Sequence, residues 1–496
     1  MRNEINQINL EKGAPDYSKS TKEFTTWAYS STYDGWWQTL DENKKFVRLE
    51  HSEETPVAIT TKETLQEYKE AGFNTLFINY VFPYKTLEER FETSRTKKIM
   101  DWAAELGLKC IIFDDCTRGL ARTQESLINP EKADGKNFFN SQEEINEFVA
   151  YCVKNVIKHP AFYGFSVLDE PTYKCFPAFG QVYKAVQACA PGAYICMNLL
   201  GLAADGKFTS SVLKYCEGAW DMSAVEGYTK YITHYADCTG APYIQADVYP
   251  MRLTPDGKPK LTTNAIKTPR FLAEFCKKRE MELHYVLQTS AFSVGFGENV
   301  LPWLRAPNKK EMYWQVNIAM AFGVTSYSYW NYYPVVNTAS EHYDEKSSFL
   351  DIAGNKNDMY YWMQDIHKEM QKMAKALLCF KYQNSGVFCK EPIAGERIHI
   401  KGIEETSFTK LSKVNVEDAS AILVTEMYDK ANSRFGYFIV NVTDPVVEGG
   451  ANVALKFDGF DKVQIWNKGE VENRAIENNV LRVELEIGQG VFVIPY

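Results

Sequence analysis

The 496-residue sequence has no excess of basic residues and no long apolar run. Lys and Arg number 55 against 64 Asp and Glu, for a formal charge of -9. No basic arm or face stands out to neutralise nucleic-acid phosphates. No run approaches the roughly 18 apolar residues that a membrane span needs. We therefore expect neither a nucleic acid nor a membrane as a partner.

The sequence also lacks paired cysteines and a secretory signal. Its 11 cysteines are scattered singly, without a CxxC pair. An odd number of cysteines within apolar stretches is typical of reduced, buried thiols rather than of a disulfide framework. The N-terminus has no apolar region followed by a small-residue cleavage site. These features predict a cytoplasmic protein, and a secreted one stays open if a leader has been removed.

Motifs of metal, nucleotide and redox chemistry are missing as well. No zinc-ligand spacing, P-loop or Gly-x-Ser-x-Gly motif is present, and Gly295-Phe296-Gly297 does not lie between a strand and a helix. We therefore expect no cofactor and a metal-independent activity. None of these features indicates an oligomeric state.

Aromatic residues are the unusual component of the sequence. Phe, Tyr and Trp make up 14% of the chain, with 30 Tyr and 10 Trp. All the tryptophans except Trp466 precede residue 383. The aromatic excess therefore belongs to the first part of the chain, and its function depends on the fold of that part.

Short apolar runs alternate with longer segments of helical period from residue 24 to about 380. Eight such strand–helix units predict an α/β fold, a (β/α)8 TIM barrel. The lack of a glycine-rich turn after the first strand disfavours a doubly wound sheet. The expected barrel strands are Thr25–Ser31, Thr75–Tyr80, Cys110–Asp115, Phe162–Glu170, Tyr194–Leu199, Tyr243–Tyr249, Leu283–Gln288 and Ser326–Asn331.

From residue 383 onward, short alternating runs such as Gly436–Val442 and Gly490–Ile494 replace this pattern. Turns with Gly, Asn, Asp or Pro separate them, and no long helix interrupts them. They predict a small antiparallel β-sandwich. We thus expect an N-terminal extension at residues 1–23, the barrel at 24–382 and the sandwich at 383–496.

The fourth expected strand ends in two adjacent carboxylates, Asp169 and Glu170, followed by Pro171. The ends of barrel strands carry the chemistry of this fold, and alternate residues face inward. One set of alternate residues in this strand, which includes Tyr163, is bulky and apolar and suits the side that faces the helices. Glu170 is therefore predicted to point into the mouth of the barrel, and Asp169 to face away unless the strand end twists.

The same alternation places polar or aromatic side chains from most other strands at this rim. Asp247, inward at the end of the sixth strand, is the best-placed second carboxylate. A purely structural barrel has no reason to bury so many polar groups on one side. The other residues that we expect to contact a substrate are Asn79, Asp114, Asp115, Asn198, Tyr249, His284, Gln288, Trp330, Trp36 and Trp37.

Aromatic residues also crowd the loops after these strands, among them Trp36, Trp37 and Trp303. A sugar ring stacks its C–H face on a flat aromatic side chain while its hydroxyls bind carboxylates and amides. Carboxylates, amides and aromatic rings at one rim therefore predict a carbohydrate as the substrate.

The segment HPAFYGFSVLDEP (His159–Pro171) resembles the fourth strand of (β/α)8-barrel glycoside hydrolases. The segments GYFIVNVTDP (Gly436–Pro445) and GQGVFVIP (Gly488–Pro495) resemble the C-terminal β-sandwich of many bacterial members. The resemblance implies a glycosidase of carbohydrate metabolism with Glu170 as general acid/base. It fails at the end of the seventh strand, where the best-known clan has a nucleophilic Glu and this sequence has Gln288.

Three groups remain for the second catalytic role. Asp247 would favour retention at about 5–5.5 Å from Glu170 and inversion at about 6.5–9.5 Å, so both outcomes stay open. Asp169 would orient a substrate N-acetyl group, as in the resembling hexosaminidases with an Asp-Glu pair. Glu298, in the glycine-rich segment Val294–Val300, would reach the site as part of a lid.

Neighbouring carboxylates also predict that the pKa of Glu170 is raised. Two functions of other classes stay open. One is a carbohydrate-binding protein without turnover, which the Gln288 substitution keeps possible. The other is a barrel lyase with Tyr249 or His284 as its base.

Overall fold

The computed structural model describes residues 13–32, 38–40, 46–48, 59–80, 91–114, 117, 120–121, 139–171, 173–202, 224–296, 299–334, 341–344, 347–390, 398–400, 403–418 and 420–496. None of the helices in these ranges combines the length and the apolar character that crossing a membrane requires.

In chain order, the strands of the described residues are β1 (Thr25–Ala28), β2 (Gln38–Leu40), β3 (Phe46–Arg48), β4 (Thr75–Tyr80), β5 (Lys109–Asp114), β6 (Phe162–Asp169), β7 (Tyr194–Leu199), β8 (Tyr243–Asp247), β9 (Met251–Leu253), β10 (Pro259–Leu261), β11 (Glu282–Gln288), β12 (Phe292–Phe296), β13 (Asn299–Leu304), β14 (Val324–Trp330), β15 (Glu341–Tyr343), β16 (Lys381–Cys389), β17 (Leu411–Val416), β18 (Ala421–Asp429), β19 (Arg434–Asn441), β20 (Gly450–Phe457), β21 (Lys462–Asn467), β22 (Glu470–Ala475), β23 (Val480–Glu486) and β24 (Gly490–Pro495). The α-helices are α1 (Lys62–Glu70), α2 (Arg95–Leu106), α3 (Gln142–Val153), α4 (Phe176–Cys189), α5 (Ala224–Thr239), α6 (Lys267–Arg279), α7 (Lys309–Ala321) and α8 (Asp358–Leu377).

Eight parallel strands form a nearly closed barrel, which confirms the expected α/β fold. Their order is β1-β14-β11-β8-β7-β6-β5-β4. Between β1 and β4 the ring is closed by a backbone hydrogen bond from the Asn74 N–H to the Thr26 carbonyl at 3.2 Å. The Ser31 hydroxyl adds to it, because it accepts from the Phe77 N–H at 2.7 Å and donates to the Phe77 carbonyl at 2.9 Å. The expected barrel strands all occur, although several end earlier than the sequence pattern indicates.

The helices around the barrel begin and end where the sequence supplies caps. Thr61 and Thr64 form a reciprocal capping box at the start of α1, and Asn308 and Glu311 do the same at α7. Such boxes satisfy backbone N–H groups that a helix cannot pair internally. Gly107 ends α2 with a left-handed φ of 72°.

Strand β6 contains two irregularities, and the first concerns Tyr163. Tyr163 is an additional residue in β6 that has no paired position in β5. Its ring stacks on Tyr194 of the barrel interior, with 5.4 Å between the ring centroids. Gly164 makes this approach possible, because a Cβ there would lie 1.8 Å from the Tyr194 carbonyl oxygen. Tyr163 therefore faces inward, and its expected helix-facing position is wrong.

The second irregularity lies beside β7, where Val167 is an extra residue between two paired positions. One extra residue reverses the inward–outward alternation beyond it. Asp169 consequently pairs with Asn198 and contacts its side chain inside the barrel. The prediction that Asp169 faces away from the interior is wrong for this reason.

The chain after the sixth, seventh and eighth barrel strands forms an antiparallel sheet that the sequence did not predict, in the order β10-β9-β13-β12-β15. We call it the rim sheet. The segment expected as a glycine-rich loop contributes to two paired strands, β12 and β13. Glu298 lies outside the described residues, and the lid stays a prediction. Gly295, with φ of 147°, allows the hairpin strands to approach, because a Cβ there would lie 1.9 Å from the Asn299 carbonyl oxygen.

From Lys381 onward the chain forms antiparallel sheets, as expected. One has the order β16-β18-β19-β24-β21-β22 and the other β17-β20-β23. Side chains of both, such as Ile439 and Leu455, share one hydrophobic cluster. The opposite face of the larger sheet, with Phe438 and Phe492, belongs to the same core as the barrel. The domain boundaries at residues 24 and 383 stay a prediction.

Cys110, Cys152, Cys196 and Cys276 are buried free thiols. Burial raises the pKa of the Cys196 thiol to about 12, so it stays protonated inside the barrel. A protonated, buried thiol is a packing residue rather than a nucleophile.

Candidate active site

Polar side chains gather at the carboxyl ends of three adjacent barrel strands. Asp169 is the last residue of β6, Asp247 is the last residue of β8, and Asn198 lies next to the end of β7 between them. The carboxyl ends of barrel strands meet at one mouth, which is where enzymes of this fold place their active sites. This mouth is therefore the candidate active site.

Asn198 joins the two aspartates. Its Nδ2 donates hydrogen bonds to Asp169 Oδ1 at 3.0 Å and to Asp247 Oδ2 at 3.1 Å. The side chain is only 2% exposed, and its Oδ1 has no hydrogen-bond partner within the described ranges. The Asn198 amide therefore fixes the spacing of the two carboxylates.

Glu170 follows β6 in a left-handed backbone conformation, with φ of 42°, and its N–H donates to the Asn198 carbonyl at 2.9 Å. This conformation is uncommon for a residue with a side chain and is held here by the surrounding structure. The side chain is exposed at the mouth, yet protein surrounds the carboxyl closely enough that lost solvation is the main cause of its raised pKa. The charges of Asp247, Asp169 and Glu341 raise the pKa further, well above its ordinary value.

Asp247 is the more deeply buried carboxylate, at 7% exposure. Burial, and then the charge of Asp169, raise its pKa to about 7, while hydrogen bonds from Tyr249 and Asn198 act in the opposite direction. Burial and the nearby carboxylates also raise the pKa of the Tyr249 hydroxyl well above its usual range, so this hydroxyl stays a donor. Asp247 therefore changes charge near neutral pH.

The rim sheet adds a cation and an aromatic ring that the strand-end pattern missed. Arg252 Nε donates to the Tyr249 carbonyl at 3.0 Å, and its Cζ lies 4.4 Å from the ring centroid of Trp303. Burial lowers the pKa of Arg252 to about 10, and the charge of Asp247 opposes that shift. Arg252 lies in a three-residue strand, too short for periodicity to reveal, whereas Trp303 was predicted as a loop aromatic near the substrate.

Trp330 ends β14 and lies where the sequence predicted, at the inner rim of the barrel. Its ring packs edge-on against Tyr29 with 5.3 Å between the centroids, and it remains partly buried against the interior cluster. The indole N–H of Trp330 donates to the hydroxyl of Tyr343 on β15, which ties the rim sheet to the barrel.

Two expected substrate ligands are used by the barrel itself. His284 is buried, stacks on Tyr243 at 4.8 Å between centroids, and has its Nδ1 3.3 Å from the Tyr194 hydroxyl. Gln288 is fully buried, donates from Nε2 to three backbone carbonyls, and accepts from the Met251 N–H at 2.8 Å. With its amide saturated by backbone groups, Gln288 braces the rim sheet and has no group left for a substrate.

For five other expected residues, the structure describes the backbone at most. The backbones of Asn79 and Asp114 lie at the carboxyl ends of β4 and β5. Their side chains, together with Asp115, Trp36 and Trp37, lie outside what the structure describes. Within the described part of the chain, no group of three or more His, Cys, Asp or Glu residues is arranged to hold a metal ion.

No protein-family model matches the chain, and no curated protein sequence does. Similar solved structures include a family 39 glycoside hydrolase from the gut symbiont Bacteroides cellulosilyticus WH2, with a TM-score of 0.42 and 12% identity over 89% of this chain and 79% of that one. A GH30 endoxylanase from Clostridium papyrosolvens C71 has a TM-score of 0.40 and 12% identity, over 96% and 98% of the two chains. A glycoside hydrolase family 5 protein from Bacteroides vulgatus ATCC 8482 has a TM-score of 0.45 and 10% identity, over 94% of this chain and 95% of that one. At this level of similarity, no residue role is transferred from these proteins.

Proposed function

We propose that the protein is a glycoside hydrolase that cleaves a glycosidic bond in an oligosaccharide or glycoside, with Glu170 as general acid/base. One observation carries the proposal: the Glu170 carboxyl, whose pKa is raised well above its ordinary value, lies at the barrel mouth beside Asp169 and Asp247. A carboxyl that keeps its proton near neutral pH can protonate the glycosidic oxygen as the leaving group departs.

Asp247 supplies the second carboxylate in this proposal. In its ionised form it either attacks the anomeric carbon or takes a proton from the water that attacks. Direct attack gives a covalent glycosyl-enzyme, which water then hydrolyses with Glu170 as base, and the anomeric configuration is retained. Attack by water in a single step inverts it. Proton NMR of the first product formed distinguishes the two outcomes.

The orientation of Asp169 favours a second candidate, a substrate-assisted N-acetylhexosaminidase. The extra residue Val167 turns Asp169 toward the mouth, beside Glu170. The acetamido oxygen of the substrate would attack the anomeric carbon, and Glu170 would protonate the leaving oxygen. Asp169 would orient the acetamido group by accepting a hydrogen bond from its N–H. Such an enzyme slows strongly on 2-trifluoroacetamido substrates, because their carbonyl oxygen is a weaker nucleophile.

The remaining alternatives are less well supported. The raised pKa of the Tyr249 hydroxyl makes it a poor base at neutral pH. Burial lowers the pKa of His284, which is stacked on Tyr243 within the barrel. A lyase with either residue as base is therefore disfavoured, and a binding protein without turnover becomes an outcome of the test below.

The test compares wild type with Glu170→Gln on α- and β-linked p-nitrophenyl glycosides of hexoses, pentoses and 2-acetamidohexoses. The matched control is Glu274→Gln, which removes a carboxylate that pairs with Arg270 on the outer helix α6. Turnover by wild type and the control that is lost in Glu170→Gln supports the proposal. Sugar binding by wild type without turnover supports the binding protein, and full turnover by Glu170→Gln contradicts the acid assignment.

A further inference from the structure

Trp303 offers a large exposed aromatic surface beside Arg252, whose pKa is affected by the charge of Asp247. It lies on β13, where Leu301 and Trp303 are 55% and 45% exposed, whereas Leu304 is buried. Leu304 pairs with Arg252 on β9, the strand that follows barrel strand β8. A tryptophan that keeps nearly half its surface in solvent at a pocket rim is available to stack on a ligand.

Arg252 is a partly buried cation with unused donors. Arg305, in the same sheet region, pairs with Glu311 through both terminal nitrogens. Arg252 instead uses only Nε, toward the Tyr249 carbonyl, and its terminal nitrogens have no hydrogen-bond or carboxylate partner among the residues that the structure describes. Its pKa of about 10 leaves it charged at neutral pH.

The Arg252 Cζ lies over the Trp303 ring, 4.4 Å from its centroid, and the terminal N–H groups of the guanidinium remain available to a ligand. The edge of a guanidinium matches the geometry of a carboxylate or sulfate and binds either through two parallel hydrogen bonds. In the described part of the mouth, Asp169 and the ionised form of Asp247 repel an anion. An anionic group is therefore favoured beside Arg252 over these carboxylates.

We propose that Trp303 and Arg252 form a subsite for a sugar residue that carries an anionic substituent, either a carboxylate or a sulfate ester. The inference rests on the proposed function and deepens it by naming the substrate class: an acidic glycan rather than a neutral one. Trp303 stacks on the face of the acidic sugar, and Arg252 binds its charged group at the edge of the mouth.

The experiment measures binding of the full chain to immobilised acidic glycans and to their matched neutral forms. Uronic acid oligosaccharides are compared with their methyl esters, and sulfated oligosaccharides with their desulfated forms, so the two arms distinguish carboxylate from sulfate. We expect binding to one acidic set to be about tenfold tighter or more than to its neutral form, and to weaken as salt rises. Equal binding to acidic and neutral forms, or no binding to any acidic glycan, overturns the proposal.

Variants assign the preference to the subsite. Arg252→Met should abolish it, Arg252→Lys should keep part of it, and the control Arg279→Gln, which breaks an exposed ion pair with Asp237, should leave it unchanged. Retention of the full preference by Arg252→Met overturns the assignment. If Arg252→Met does not fold, two other measurements decide whether Arg252 causes the preference for acidic glycans. They are the comparison of Arg252→Lys with wild type and the salt dependence of binding by wild type.

Hydrolysis of the same glycans is measured separately. Binding of acidic glycans without cleavage contradicts the proposed hydrolase and supports the subsite. Cleavage of neutral glycosides alone supports the hydrolase and overturns the subsite, so the two failures are distinguishable.

Discussion

Asp169 and Asp247 accept hydrogen bonds from the same nitrogen atom, Nδ2 of Asn198, at 3.0 and 3.1 Å. The two carboxylate oxygens are therefore at most about 6 Å apart. Because like charges at this separation oppose each other, the ionisation of one carboxylate depends on the other. Burial, and then this coupling, bring the pKa of Asp247 to about 7 and allow protonated and ionised carboxyls to coexist at the mouth.

The pH dependence of activity should follow from these groups. Asp247 must be ionised and Glu170 protonated, so kcat/KM should rise as Asp247 ionises near pH 7 and fall as Glu170, whose pKa is raised above its ordinary value, loses its proton. The measurement is kcat/KM between about pH 5 and pH 10 on a substrate that wild type cleaves. A profile that does not change across neutrality would contradict the assignment of Asp247.

Asn198→Ala tests the link between the aspartates. Loss of the amide removes a hydrogen bond that lowers the pKa of Asp247, so the rising limb of the pH profile should move to higher pH. Misplacement of the carboxylates should also lower kcat about 100-fold, with a smaller change in KM. The matched control is Asn146→Ala on the outer helix α3. An unchanged pH profile in Asn198→Ala would show that the amide does not control Asp247.

Asp247→Asn should stabilise the protein at alkaline pH. A folded pKa of about 7, raised from 3.8, means that the folded state binds this proton more tightly than the unfolded state. The stability from that proton is present at low pH and is lost as pH rises through about 4 to about 7. We expect the free energy of unfolding of Asp247→Asn to exceed that of wild type by up to about 4 kcal/mol at pH 8, and by less at pH 5. Denaturant unfolding at both pH values measures it, and a wild type more stable than Asp247→Asn at pH 8 would contradict the pKa.

Gly164→Ala should destabilise the irregular part of β6 that precedes the carboxylates. A Cβ at this position would lie 1.8 Å from the Tyr194 carbonyl oxygen, so β6 and β7 would have to separate. We expect a loss of at least about 3 kcal/mol in the free energy of unfolding. Gly450→Ala, whose Cβ would have 3.3 Å to its nearest neighbour, is the control for chemical denaturation. Equal stability of the two variants would contradict the close approach of the strands.

The barrel was predictable because its strands and helices differ in hydrophobic period, and Tyr194–Leu199 and Thr75–Tyr80 occur with the expected bounds. The orientation of Asp169 was not predictable, since the extra residue Val167 follows from strand pairing and leaves no mark on the sequence pattern. Arg252 was missed for a related reason: it reaches the mouth through tertiary pairing with Leu304 on the rim sheet.

For Gln288, the sequence predicted the position in the barrel but not the burial of the side chain. Its place at the end of the seventh strand was predicted, but its burial depends on loops that return over it, and these are set by tertiary structure. Strand β22, with the sequence EVENRA, was missed because it carries no apolar alternation and is held by pairing with β21. Local pattern therefore identified the barrel strands, while packing decided which of their residues reach the mouth.

The most direct test of the central claim is the dependence of the Glu170→Gln rate on the leaving group. Removal of the general acid should slow cleavage of glycosides with poorly acidic leaving groups by about 100-fold or more, and should affect dinitrophenyl glycosides much less, because these need no protonation. The account predicts a steep dependence of kcat/KM on leaving-group pKa in Glu170→Gln and a shallow one in wild type. Equal slopes in the two proteins would contradict the role of Glu170 as the acid.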